Sequence, residues 1–181
     1  MGLDQYGARG RHPNPPCTPN LDEPLCAGVA FGQVWSNPTC TPSRSALLTG
    51  RHASRTGMGR WLPESGDPWD LQQSELTIAE MLKQSEHGYA TAAVGKWHLA
   101  SLQRDEPGLH PLQQGFDTHR GPLGNPTHAV EQTEERTNYR SWEKNIDGEL
   151  SWSHRHITVD STEEAMELVQ TLPEPWFIYL A

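Results

Sequence analysis

Three things are scarce in this chain: cysteine, positive charge and long apolar runs. Among 181 residues there are 3 cysteines, and 14 Lys+Arg stand against 23 Asp+Glu. Hydrophobic residues make up 34% and the mean hydropathy is −0.71. Each shortage excludes something. No apolar stretch approaches the ~20 residues of a membrane-spanning helix. A net charge of −9 has the wrong sign for a nucleic-acid binder, whose contacts with phosphates need a basic patch. An odd cysteine count without Cys-x-x-Cys argues against both a disulfide-stapled scaffold and a thiol redox motif. The first residues lack the charged-then-apolar layout of a signal peptide. What remains is one ordinary domain, or part of a larger one. Its 16 Gly and 15 Pro point to long surface loops, which often carry binding and catalytic residues.

The densest signal is Cys40-Thr41-Pro42-Ser43-Arg44, continuing Ser45-Ala46-Leu47-Leu48-Thr49-Gly50-Arg51. Thr41 suits an N-cap and Pro42 the first helical position, where a missing N–H costs nothing. Ala46, Leu47 and Leu48 are good helix formers able to anchor the helix in a core, and Gly50 is a plausible stop. Cys40 is then predicted just outside a helix N-terminus. Free N–H groups and the helix dipole favour negative charge there, which welcomes an anionic ester and lowers a thiol pKa. Arg44 follows one turn on, with planar donors matched to sulfate or phosphate oxygens.

A second string, Gly88-Tyr89-Ala90-Thr91-Ala92-Ala93-Val94-Gly95-Lys96-Trp97-His98-Leu99, is a Gly-bounded apolar run ending in Gly-Lys-x-His. The apolar part reads as a buried strand. Lys96 and His98 follow at its end, where ligand sites lie in open α/β sheets. Two residues apart on an extended segment, they point to one side. Lys96 supplies a point charge, and His98 exchanges a proton near neutral pH. In so acidic a chain, binding an anion requires the few cations to gather, and Arg44, Arg51 and Lys96 are the candidates. Of these, Arg51 reads as an anchor for its own loop.

Along the rest of the chain, residues 1–19 read as loop and 20–28 as a short helix with Pro24 badly placed inside it. Residues 28–34 read as a strand leading to the Cys40 loop. Thr77-x-x-Glu80 is a capping box for a helix closed by Gly88, followed by a strand over 89–94. Residues 100–140 are polar and aperiodic, an insertion or active-site loop. Asp147-Gly148, between Trp142 and Trp152, marks a two-residue hairpin. Ser161-x-x-Glu164 is a second capping box, with Ala165, Leu168, Val169 and Leu172 on one face. Residues 176–181 form a last strand. Strands alternating with helices in this order predict an α/β fold, a mostly parallel sheet flanked by helices. Trp61 and Trp69 either stack on a sugar or aryl group or pack their loop, the simpler reading. His154-x-His156 lacks further ligands nearby and reads as a solvated pair, as do Glu131, Glu134 and Glu135.

Both strings resemble the signatures of the type I sulfatases, Cys-x-Pro-Ser-Arg-x-x-x-Leu-Thr-Gly-Arg and Gly-Tyr-x-Thr-x-x-x-Gly-Lys-x-His. Thr18-Pro19-Asn20-Leu21-Asp22, Gly28-Val29-x-Phe31, Gly115-Phe116-Asp117 and the terminal strand resemble further landmarks, so the likeness covers nearly the whole chain. It implies an alkaline-phosphatase-like fold and a sulfuric ester hydrolase of arylsulfatase type. It implies that Cys40 is oxidised to formylglycine by a formylglycine-generating enzyme that reads Pro42 and Arg44. The hydrated aldehyde carries two hydroxyls: one attacks sulfur, and the other later expels sulfate and restores the aldehyde, which neither thiol nor serine can do. The same resemblance assigns catalysis to Cys40, Arg44, Lys96 and His98, substrate contact to Lys96 and His98, and a calcium ion to a site that includes residue 40. It implies a periplasmic or secreted enzyme. Once Cys40 is modified, Cys17 and Cys26 remain to pair or to stay free thiols, the simpler reading. Two other functions stay open: a phosphate- or phosphonate-ester hydrolase of the same superfamily, and an inactive anion-binding remnant.

Members of that family begin with a strand ending in Asp-Asp, which binds calcium, and Asp4 does not match its place. Their second metal pair, with a further histidine and lysine, lies beyond the position of the terminal strand. Residues 1–181 are therefore expected to be a partial N-terminal catalytic domain, incomplete at both ends. Purified after co-expression with a formylglycine-generating enzyme, the 181-residue chain is expected to turn over an aryl sulfate negligibly and to bind calcium poorly. Appreciable turnover would overturn that.

Overall fold

The computed structural model describes residues 13–29, 31–62, 69–126 and 137–181, which fall into two compact units, 1–36 and 37–181. The first contains α1 (Pro19–Ala27), with Pro19 in its first turn. Thr18 Oγ1 donates to Asp22 Oδ1 at 3.2 Å. Pro24 does sit inside this helix, where its missing N–H forfeits one bond of the ladder. The strand expected over 28–34 does not form. Val29, Phe31 and Val34 are exposed and no ladder includes them; a strand without a paired neighbour is unstable in water. Ala30, Asp4 and the three glutamates of 131–135 lie outside the described residues.

The second unit is built on a five-stranded sheet, in the order β4-β3-β2-β1-β5. The strands are β1 (Ala90–Val94), β2 (Thr118–Gly121), β3 (Trp142–Ile146), β4 (Glu149–Ser153) and β5 (Trp176–Leu180). β1 lies parallel to β2 and to β5, with Ala92 opposite both Thr118 and Ile178. β2 pairs antiparallel with β3, and β3 with β4. The sheet is thus mixed, parallel where β1 lies and antiparallel at the hairpin. Asp147 and Gly148 turn that hairpin with φ of 53° and 103°, as the two-residue signal predicts.

The helices are α2 (Cys40–Thr49), α3 (Ala53–Thr56), α4 (Ile78–Lys83), α5 (His110–Gln113) and α6 (Ile157–Thr171). β1 is apolar throughout because both its faces are covered. On one side Ala93 joins Leu48, Met58, Leu62, Leu71, Trp97, Leu99 and Phe116. On the other, Ala92 and Val94 meet Ala165 and Leu168 of α6, with Leu172 and Ile178 packed alongside. Val169, expected on that face, is 48% exposed.

The α4 capping box forms in both directions, Glu80 N–H to Thr77 Oγ1 at 3.2 Å and Thr77 N–H to Glu80 Oε2 at 2.8 Å. The helix ends at Lys83 and is capped by Gln84; Gly88 instead turns the chain into β1 with φ 57°. Ser161 is not a cap. It is buried within α6, which starts earlier under His156, whose Nδ1 accepts the Thr158 N–H at 3.3 Å. Residues 100–140, expected as loop, contain α5 and β2. β2 is short and polar, so only its neighbours identify it as a strand.

Ion pairs bind α6 to the sheet. Lys144 of β3 lies 2.7 Å from Asp160 and 2.5 Å from Glu164, and Arg120 of β2 lies 2.6 Å from Glu164 and 3.0 Å from Glu167. Two histidines are buried, His110 at the start of α5 and His119 within β2. His110 accepts from Trp97 Nε1 at 2.9 Å and lies 3.0 Å from the Leu71 carbonyl. His119 is held between Asn145 at 2.8 Å and the Gly95 carbonyl at 3.2 Å. Burial pushes both from an ordinary 6.5 down to about 4, so the folded chain keeps them neutral. Below 6.5 the unfolded chain takes up protons that the folded chain refuses. Stability is therefore full above that pH and falls as pH drops toward 4, by about 1.4 kcal/mol per pH unit for each histidine. Urea midpoints measured at pH 7 and pH 5 are expected to fall accordingly, and His119→Gln to shrink the difference. An unchanged midpoint would contradict the assignment.

Candidate active site

Cys40 is the first residue of α2, not the residue before it; Thr39 is the N-cap and Gly50 the left-handed stop, φ 66°. This shift turns Thr41, Ser45 and Leu48 inward and leaves Leu47 66% exposed, so Leu47 does not anchor the helix. Pro42 falls in the first turn all the same, where its missing N–H has no intrahelical use. Thr41, expected as the cap, is fully buried. Its hydroxyl donates to the His98 carbonyl at 3.1 Å and accepts the Leu62 N–H at 3.3 Å.

The chain leaves β1 through Gly95, φ 91°, where a Cβ would strike the Ala181 carbonyl. Trp97 N–H then bonds the Pro122 carbonyl at 3.0 Å and His98 N–H the Leu123 carbonyl at 2.8 Å. His98 has φ 54°, a left-handed conformation costing a histidine about 1 kcal/mol. Lys96 and His98 are therefore not two residues of one extended run. A turn brings them together at Cys40 Sγ, 3.3 Å from Lys96 Nζ and 3.1 Å from His98 Nδ1.

Arg44 completes the group from one turn along α2. Its Nη1 donates to the Lys96 carbonyl at 2.6 Å and to the Tyr179 hydroxyl at 3.2 Å. Its Nε is buried without a partner among the described residues. Lys96 Nζ also donates to Asn125 Oδ1 at 2.5 Å. A cavity of about 460 Å³ opens beside Arg44, Lys96 and Asn125. All four expected residues, Cys40, Arg44, Lys96 and His98, thus converge. Arg51 stays apart, paired with Glu75 at 2.5 Å. Trp69 packs under Arg60, 5.3 Å from its ring centroid, and against the core, while Trp61 is 54% exposed. Cys17 is a free, exposed thiol.

Partial burial opposes a Cys40 thiolate. The Lys96 charge and hydrogen bond, the Thr41 backbone N–H and Arg44 outweigh it, and the thiol falls below its ordinary 9.0. Burial lowers Lys96 from 10.5 despite the opposing pull of Cys40, and Arg44 lowers it further. This set suits an anion and not a hard cation. Calcium takes carboxylate and carbonyl oxygens. Cys40 is surrounded here by nitrogen donors, Asn125 Oδ1 is committed to Lys96, and the described residues contain no cluster of three His, Cys, Asp or Glu that would hold a metal. The site residues described do not fit calcium.

Sequence reasoning missed Asn125 and Tyr179 and misassigned Thr41. Gly124-Asn125-Pro126 is legible only as a turn, and Tyr179 only as an inward position of a strand.

The sequence model of the Sulfatase family matches residues 1–181. The N-acetylgalactosamine-6-sulfatase of Mus musculus is 32% identical over 208 residues, covering 100% of this chain and 37% of the relative. Arylsulfatase D of Homo sapiens is 39% identical over 132 residues, covering 67% of this chain and 21% of the relative. The chain therefore spans well under half of these relatives. Among solved structures, a putative sulfatase from Bacteroides fragilis superposes with a TM-score of 0.67 at 18% identity, over 98% of this chain and 40% of the other. A sulfatase from Pseudoalteromonas sp. gives 0.63 at 23%, over 90% and 37%. These two likenesses establish the fold.

Alkylation of the unconverted Cys40 by iodoacetamide is expected to titrate below pH 9, and Lys96→Met to move that midpoint upward. A midpoint indifferent to residue 96 would show that the ammonium does not govern the thiol.

Proposed function

The chain belongs to the sulfatase family, and from that premise we propose that residues 1–181 are the nucleophile-bearing, N-terminal part of a catalytic domain that hydrolyses sulfate esters. The observation that carries this reading is the placement of Cys40 Sγ within reach of both Lys96 Nζ and His98 Nδ1, beside a cavity bordered by Arg44. In this reading Sγ stands in for a hydroxyl oxygen of hydrated formylglycine, made from Cys40 by a formylglycine-generating enzyme. Formylglycine there supplies a nucleophile for sulfur and a second hydroxyl through which sulfate is released.

The chain's own residues do the rest. Lys96 donates to the side chain at position 40 and borders the cavity, so its ammonium serves a bound sulfate oxygen as well. His98 Nδ1 holds or removes a proton at the position-40 side chain. The first-turn N–H groups of α2 favour negative charge beside it. Arg44 grips the Lys96 carbonyl, which fixes the ammonium, and offers Nε to the anion. Oxygen ligands for calcium come from elsewhere in a complete enzyme. The family resemblance supports a periplasmic or secreted setting for that enzyme.

Two measurements test this. Mass spectrometry of the Cys40 peptide, from a host competent for the modification, is expected to show the aldehyde. Calorimetric titration with sodium sulfate is expected to show binding that Lys96→Ala weakens tenfold or more, about 1.4 kcal/mol. An unmodified thiol together with sulfate binding indifferent to Lys96 would sink the proposal.

A further inference from the structure

The turn that carries Lys96 and His98 is strained at His98, φ 54°, and strain persists only where partners hold it. Two of those partners come from α2, Thr41 and Arg44. Two more are histidines. Trp97, between Lys96 and His98, is buried in contact with both, its ring centroid 5.8 Å from His110 and 6.1 Å from His119.

His110 holds the turn through the indole. Trp97 Nε1–H donates to His110 Nδ1 at 2.9 Å. With Nδ1 accepting, the ring proton sits on Nε2 and is given to the Leu71 carbonyl at 3.0 Å. Leu71 N–H in turn donates to the Leu99 carbonyl at 2.9 Å, so the chain of bonds that leaves the turn at Trp97 returns to it just after His98.

His119 holds the other end. Asn145 Nδ2 donates to His119 Nδ1 at 2.8 Å and to the Gly108 carbonyl at 3.1 Å, while Asn145 Oδ1 accepts the Gly148 N–H at 3.1 Å. That amide orientation puts the His119 proton on Nε2, which donates to the Gly95 carbonyl at 3.2 Å. Gly95 N–H donates to the Arg120 carbonyl at 2.9 Å. Both polar backbone groups of the residue before Lys96 are thus tied to β2. Burial keeps the two rings neutral, that of His110 aided by Arg104 and opposed by Asp70, that of His119 opposed by Asp147. A charged imidazole has no acceptor, and Trp97 or Asn145 would lose its partner.

We propose that His110 and His119 are positioning residues, which clamp the turn at Trp97 and Gly95 so that Lys96 Nζ and His98 Nδ1 stay aimed at residue 40. This role deepens the sulfate-ester reading and rests on it. The two rings act through the turn and not on the substrate. A histidine that only filled the core could give way to an apolar ring without consequence for Cys40.

The test is the rate at which iodoacetamide alkylates unconverted Cys40 in the 181-residue chain at neutral pH, read by mass on the Cys40 peptide. Lys96→Met sets the scale, since losing the ammonium slows a thiol that reacts as thiolate. His119→Phe and His110→Phe, each checked for folding by circular dichroism, are expected to slow Cys40 severalfold, and to do much less in a Lys96→Met chain. His119→Gln, which offers Gly95 a donor, and His110→Gln, which offers Trp97 an acceptor, are expected to recover most of the rate. In the unaltered chain, nitrogen NMR is expected to find both imidazoles neutral and protonated at Nε2, a readout that needs no variant to fold. Phenylalanine variants that leave the rate unchanged, or slow it equally with and without Lys96, would overturn the positioning role, as would either ring protonated at Nδ1. Calorimetry with sodium sulfate separates the underlying reading: affinity indifferent to Lys96→Ala would overturn that reading, and the role with it, whatever the alkylation rates.

Discussion

Two hydrogen bonds hold the site together, both running from α2 to the backbone of the turn after β1. Thr41 donates to the His98 carbonyl at 3.1 Å, and Arg44 to the Lys96 carbonyl at 2.6 Å. They fix the carbonyls of the residues whose side chains reach Cys40. The same helix therefore carries the sulfur and positions the two groups that reach it. The left-handed backbone of His98 persists because its N–H, its carbonyl and its side chain are all engaged. Strain of this kind survives only where the surroundings over-determine it.

The electrostatics follow from how the acids are distributed. A chain with nine more negative than positive side chains still builds a cationic pocket, because no Asp or Glu is among the described residues that line it and several carboxylates are engaged elsewhere. Asp160, Glu164 and Glu167 pair with Lys144 and Arg120, Glu75 holds Arg51, and Asp117 is engaged by Lys83 and by the Thr91 N–H. Asp117 is accordingly held below the usual carboxylate range, burial opposing and these donors prevailing.

Local chemistry was legible wherever it was self-contained. The Thr77–Glu80 capping box, the Asp147-Gly148 turn, the Gly50 stop and the buried strand β1 each depend on neighbours in sequence, and each formed. Errors arose where a partner distant in sequence decides. Residues 28–34 have the composition of a strand but no ladder. β2 is polar and short, yet pairs on both edges. The Ser161 motif reads as a cap but lies inside a helix that His156 starts. Thr41 looks like a cap because Ser/Thr before Pro usually is one, but the helix begins earlier and turns that hydroxyl toward His98.

By itself, the sequence singled out the side chains that converge at one place, Cys40, Arg44, Lys96 and His98, in two strings specific enough to name a family. It determined the α/β alternation through apolar periodicity. Only the tertiary structure decided how these residues serve one another. Lys96 and His98 converge through a left-handed turn rather than strand alternation, Arg44 holds a backbone as well as offering charge, and Asn125 and Tyr179 join from segments with no motif at all. The physical reason is that a catalytic side chain is marked by its own chemistry. The hydrogen bonds that aim it come from whichever backbone and side-chain groups the packed sheet and helices bring within about 3 Å, and no local pattern encodes that meeting.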